Sequence, residues 1–157
     1  MCIYLRRSDK EIHDAGLMQS ILDEAPVCRL GMCRDNIPYV VPMNFAHREN
    51  AIYMHAAREG KKLDILRENP LVCFEIDLNI GIVPSQSSCE WGTKYYSIIG
   101  WGDATFIEDA EGKAEALDLI MEKYAGRAGF SFPDDSLGKV IVIKIRITGM
   151  TGKKSGY

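Results

Sequence analysis

Apolar positions along this chain recur with two different periods. Six stretches show the short apolar run or two-residue alternation of a β-strand: 27–33, 37–46, 52–56, 71–77, 94–108 and 139–147. Three others carry apolar residues at helical spacing. Ile12, Ala15, Met18, Ile21 and Leu22 form one stripe, and Ser8 and Glu11 have the spacing of a capping box in front of it. Ala114, Leu117, Ile120, Met121 and Tyr124 form a second stripe, and a short helix is expected between Gly60 and Asn69-Pro70. Arg34-Asp35-Asn36 reads as the turn of a hairpin joining the first two strands. Pro38 and Pro42 have no N–H to give a ladder, so the second strand belongs at a sheet edge. Gly100 and Gly102 inside the fifth strand mark a bend, a bulge or the close approach of another group. The segment 78–93 has weak periodicity and reads as a long loop that shapes a substrate side; the tail 148–157, past the last strand, reads as polar and glycine-rich. Strands in hairpin order with a few helices predict a mainly β (α+β) fold, a small six-stranded antiparallel barrel with flanking helices over its open parts. No strand–helix–strand alternation and no GxGxxG motif point to a dinucleotide fold.

Length and composition narrow this further. A chain of 157 residues, 46% hydrophobic, predicts one domain, 1–157, with a real core. A net charge of −3 with no long basic run argues against nucleic acid as a partner. No signal-peptide pattern and no membrane-length apolar run occur, so no membrane partner and a cytoplasmic location are the default expectation. The five cysteines (Cys2, Cys28, Cys33, Cys73, Cys89) are odd in number and lack paired zinc spacing, so no metal site is expected. Cys28 and Cys73 lie in apolar runs and read as small buried residues.

One local feature departs from surface routine. Lys61 and Lys62 open the short helix, where free N–H groups and the macrodipole are already positive and acids are usual. Two lysines there fit an anion, phosphate above all, sitting among them. His55 follows Tyr53 at strand spacing, so both rings share a face; it is either a half-exposed structural residue or one suited to charge pairing and proton delivery. His13, His47 and Arg58 read as surface residues. No nucleophile–base constellation is visible, and no catalytic residue is assigned.

The ordered set Pro38-Tyr39-Val40-Val41-Pro42-Met43-Asn44-Phe45, Ile52-Tyr53-Met54-His55-Ala56-Ala57, Gly60-Lys61-Lys62, Asn69-Pro70-Leu71-Val72-Cys73-Phe74 and Tyr96-Ser97-Ile98-Ile99-Gly100-Trp101-Gly102 resembles the pyridoxamine 5′-phosphate oxidase-like FMN-binding split barrels. Within that superfamily it is most similar to the nitroimidazole-resistance (Nim-type) branch. The resemblance implies a homodimer with FMN at its interface. Flavin contacts would fall on Val41, Pro42, Met43 and Asn44, on His55 and Ala56, and on Lys61 and Lys62. Ser97 would approach the flavin from the partner subunit, with Tyr96 and Trp101 as possible flanking rings. Lys61 stands where the oxidases carry an arginine, so a point charge replaces a bidentate fork. The oxidases' C-terminal arginine motif has no match in 148–157, which argues against a vitamin B6 phosphate as substrate. The resemblance thus implies a flavin-dependent oxidoreductase for a small molecule such as a nitro-aromatic compound. The alternative is a non-catalytic flavin or haem carrier, with His55 as the haem ligand; FAD is the less favoured flavin.

Overall fold

The computed structural model describes residues 6–157; Cys2 lies outside them. Eight strands occur among these residues: β1 Glu11–Ile12, β2 Cys28–Arg34, β3 Ile37–Met43, β4 Ala46–Arg48, β5 Ala51–Ala57, β6 Leu71–Val83, β7 Gly92–Ile107 and β8 Val140–Ser155. Four helices accompany them: α1 Ala15–Glu24, α2 Lys61–Glu68, α3 Ala110–Ala125 and α4 Asp134–Leu137. All pairings are antiparallel, in the order β3-β2-β6-β7-β8-β5-β4, with β1 added beside β8. The sheet does not close, so β3 and β4 are its ends. Met43 of β3 and Met54 of β5 nonetheless share one core with Phe74 and Ile143, because the sheet curls around it. This is a split barrel. Helices α1 (Met18, Ile21, Leu22) and α2 (Leu63, Ile65, Leu66) insert into that same core and fill its open parts.

Local chemistry explains most of the joints. Asp35 and Asn36 both take positive φ (53° and 62°), the backbone of a tight hairpin turn whose twist matches the strands it joins. β3 carries Pro38 and Pro42 at the sheet edge, as a missing N–H requires. Asn69 ends α2 and pins it: its Nδ2 donates to the Cys33 carbonyl at 2.9 Å and its Oδ1 accepts from Leu71 N at 3.2 Å.

Four expectations need correction. The first helix starts at Ala15 under an Asp14 cap, whose Oδ1 accepts from Gly16 and Leu17 N–H; Ser8–Lys10 is a separate single turn and Ile12 is in β1. Asp14 outcompetes Ser8 because Ile12 is drawn into pairing with Gly152. The segment 78–93 is mostly a hairpin: β6 runs on to Val83 and β7 begins at Gly92, with an irregularity between Leu78 and Gly81. The tail is strand: β8 continues through Ser155, paired with β7 as far as Tyr95. The strand count is therefore eight, the added β1 and β4 being two and three residues long.

The stripe on α3 is also rotated from expectation. Its buried residues are Lys113, Ala116 and Ile120. Lys113 is only 4% exposed and its Nζ donates to the carbonyls of Leu137 (2.8 Å) and Val140 (3.1 Å), tying α4 to the start of β8. Lys113→Met would leave both carbonyls without that donor. A loss of roughly 2–3 kcal/mol in urea unfolding is expected; a loss under about half a kcal/mol would show that water replaces the amine.

No helix among the described residues is long and apolar enough to cross a membrane. No group of three His, Cys, Asp or Glu among them could hold a metal ion.

Candidate functional site

The site is built at the start of α2. Gly60 precedes it with φ 133° and ψ 159°, a backbone conformation that side chains strongly disfavour, and this turns the chain from β5 into the helix. Gly60 offers no capping side chain. Its carbonyl accepts from Leu63 and Asp64 N–H, while the N–H groups of Lys61 and Lys62 have no acceptor among the described residues. The buried Leu63, Ile65 and Leu66 fix the helix against the core, so these two donors are held in place rather than frayed.

The two lysines reach back over β3. Lys61 Nζ sits 4.6 Å from the centre of the Tyr39 ring, and Lys62 Nζ lies 3.4 Å from Met43 Sδ, a weak acceptor. Neither makes an ion pair among the described residues, although Asp64 stands in the same first turn. Tyr39, Val41 and Met43 alternate onto one face of β3, the face turned toward the core. Two cations and two free backbone donors thus lie at one helix start, beside a strand that offers them no carboxylate. Such a set of donors is chemically suited to an anion.

The other expected residues divide. Val41 and Met43 share the lysines' side of β3, whereas Pro42 points out, opposite Arg29. Asn44 lies just past β3 and faces the Tyr124 hydroxyl, which accepts from Phe45 N (3.0 Å) and donates to the Pro26 carbonyl (2.7 Å). Ala56 is buried in the core and His55 is exposed on the opposite face of β5, across from Val142. Ser97 lies on the outer face of β7 between Asp77 and Lys153. Strands β6 and β2 separate it from β3, so one copy of the chain does not bring Ser97 to the lysines. Trp101 is on that outer face too, while Tyr96 turns inward and stacks on Tyr157 with ring centres 4.5 Å apart. Arg58 is exposed and donates to the Gly138 carbonyl at 3.3 Å.

Tyr39, under Lys61, is an addition to the expected set. It could have been found from its spacing, two and four residues before Val41 and Met43. His47, expected at the surface, is half-buried against α1, its Nδ1 3.1 Å from Gln19 Nε2. Burial lowers its pKa, with Asp23 opposing. Cys28 is fully buried and its thiol is pushed up to about 12 by burial, which leaves it inert; Cys73 is half-buried and raised for the same reason.

One part of the outer face of β3, β2, β6 and β7 is apolar, beside the ion-paired Arg29, Glu75 and Asp77 on the same face. Val40, Leu71, Cys73 and Trp101 line a shallow groove of about 380 Å³ there, floored by Gly31. Val40 and Leu71 are 61% and 64% exposed, and Ile99 extends the patch along β7.

The fold is that of a split barrel with flanking helices, with Lys61 and Lys62 at the start of α2. The chain belongs to the pyridoxamine 5′-phosphate oxidase family, whose sequence model matches residues 14–154. Among solved structures it is similar to a candidate 5-nitroimidazole antibiotic resistance protein from Bacteroides thetaiotaomicron VPI-5482. The two are 35% identical over 92% of this chain and 86% of that one, with a TM-score of 0.81. The flavocytochrome Anf3 from Azotobacter vinelandii shares the fold (TM-score 0.82, 21% identity, 98% of this chain and 73% of that one). So does the FAD and haem binding protein from Mycobacterium smegmatis (TM-score 0.81, 20% identity, 94% and 74%). The uncharacterised protein RA0666 of Rhizobium meliloti (strain 1021) is 38% identical over 58 residues, which span 37% of this chain and 38% of that protein.

Proposed function

We propose that the protein is an FMN-binding oxidoreductase, acting as a homodimer on small nitro-aromatic molecules. The observation that carries this reading is the pair Lys61 and Lys62, unpaired cations around two free N–H groups at the start of α2. Their chemistry suits a phosphate monoester, the charged end of FMN. Lys62 and the helix start would hold that phosphate, Lys61 would add a second charge, and the β3 segment Val41–Asn44 would lie along the remainder of the cofactor. The flavin would supply the electron transfer; the chain supplies anchoring, orientation and exclusion of water. A second copy on the apolar part of the outer face of β3, β2, β6 and β7 would cover Trp101 and Val40 and let Ser97 of the partner subunit approach the site. The 35% identity to the candidate nitroimidazole-resistance protein supports the choice of substrate class.

The exposed His55 favours a second reading, a flavin or haem carrier without turnover, in line with the names of the two more distant structures. Chemistry separates the two. The protein loaded with FMN and supplied with NADPH should consume a 5-nitroimidazole, followed by loss of the nitro absorbance. A flavin-loaded protein that leaves the nitro compound unchanged with chemical as well as enzymatic reductants is a carrier.

A further inference from the structure

The hairpin of β6 and β7 changes character part-way along. The two strands pair regularly as far as Leu78 and Tyr96, and then shift register before Gly81 meets Lys94. Asn79 sits in this bulge at φ 54°, a left-handed backbone that Asn tolerates better than most residues. Beyond the bulge only three pairs follow, Gly81 with Lys94, Ile82 with Thr93 and Val83 with Gly92. Ile80, Ile82 and Trp91 are 60%, 64% and 57% exposed, so the far end of the hairpin has almost no core of its own. A segment with so few buried contacts can open well below the free energy of global unfolding.

Tyr157 grips both strands at that bulge. Its ring stacks on Tyr96 of β7, with centres 4.5 Å apart and planes 15° apart. Its hydroxyl donates to the Asn79 carbonyl of β6 at 2.6 Å, and Lys94 Nζ stands 5.0 Å from the centre of its ring. Tyr96 packs against the core, which makes it a fixed platform. Gly156 makes the turn out of β8: its φ is 75°, and a Cβ there would lie 2.7 Å from Lys94 Cβ. Ser155 before it is held in turn, accepting from Lys10 Nζ at 2.8 Å. We propose that Tyr157 is a latch for the β6–β7 hairpin. Seated on Tyr96 and Asn79 it holds residues 80–94 in line with the sheet; released, it lets them swing about the bulge. Anything that draws Tyr157 off Tyr96 therefore frees an arm carrying exposed apolar side chains. Nothing in this inference depends on flavin binding.

The test is amide hydrogen exchange on the full chain, read by peptide mass spectrometry, with Tyr157→Ala set beside the parent. Amides of residues 80–94 are expected to exchange about tenfold or more faster in the variant, which loses a hydrogen bond and an aromatic stack together. Amides of β5 and of the part of β8 paired with it should stay within about twofold. Tyr157→Phe keeps the stack without the hydroxyl and should give a smaller rise, while Gly156→Ala disturbs the turn and should act like Tyr157→Ala. Unchanged exchange in the hairpin of Tyr157→Ala would overturn the latch. So would a rise shared equally by every strand, which would make Tyr157 a general stabiliser of the fold.

Discussion

Replacing Lys61 and Lys62 together with alanine is expected to weaken FMN binding by about a hundredfold or more. A hydrogen bond to a charged group contributes roughly 1.5–3 kcal/mol, and each 1.4 kcal/mol is about a factor of ten in affinity. Lys61 is the more exposed of the two and is expected to give the smaller single effect. Lys62, half-buried beside Met43, should carry the larger share. Arginine at position 61 should tighten binding, since a planar fork can take two phosphate oxygens. Folding should survive, because α2 is held by Leu63, Ile65 and Leu66 rather than by the lysines. Flavin fluorescence titration gives the affinities, and unfolding curves confirm that the variants remain folded. Affinities within threefold of the parent chain would remove Lys61 and Lys62 from the phosphate site.

The second large effect is structural. Gly100→Ala is expected to destabilise the fold by roughly 3 kcal/mol or more, at the upper end of overpacking costs. Phe74 is fully buried and pairs with Gly100 across β6 and β7, and a Cβ at Gly100 would overlap its ring. Gly102 is as tightly enclosed: a Cβ there would stand 2.6 Å from the Arg146 carbonyl oxygen, where β7 and β8 shift register. Neither neighbour can yield, one being a core ring and the other backbone. Urea unfolding of Gly100→Ala measures the loss; Gly100→Ala with Phe74→Leu should recover part of it. A variant as stable as the parent chain would show that Phe74 repacks freely.

These glycines illustrate what the sequence could and could not convey. Two glycines inside an alternating strand announced a bulge or a close approach, and both occur, one at each residue. Pro38 and Pro42 announced an edge strand because a missing N–H has only one tolerable place in a sheet. The local signals were weaker where partner strands decide the outcome. Residues 78–83 have too little alternation to read as strand, yet pairing with β7 holds them extended; the glycine-rich tail is strand because β7 presents a continuous ladder to it. Ser8 and Glu11 fitted a capping box, and tertiary pairing of Ile12 with Gly152 overrode it. The lysine pair was legible because charge at a helix start has a sign rule. Tyr39 escaped because an aromatic on an edge strand reads equally as core. Lys113 escaped because a buried amine feeding two carbonyls has no signature in sequence. Ser97 and Lys61 cannot be joined within one chain at all, since two strands lie between β7 and β3.

The central claim is that this chain holds FMN, and the visible absorption spectrum of the freshly purified protein tests it most directly. A yellow protein is expected, with the two visible and near-ultraviolet flavin bands, releasing FMN on denaturation and gaining thermal stability when FMN is added to stripped protein. A colourless protein that takes up no colour and no thermal stability from added FMN would contradict it.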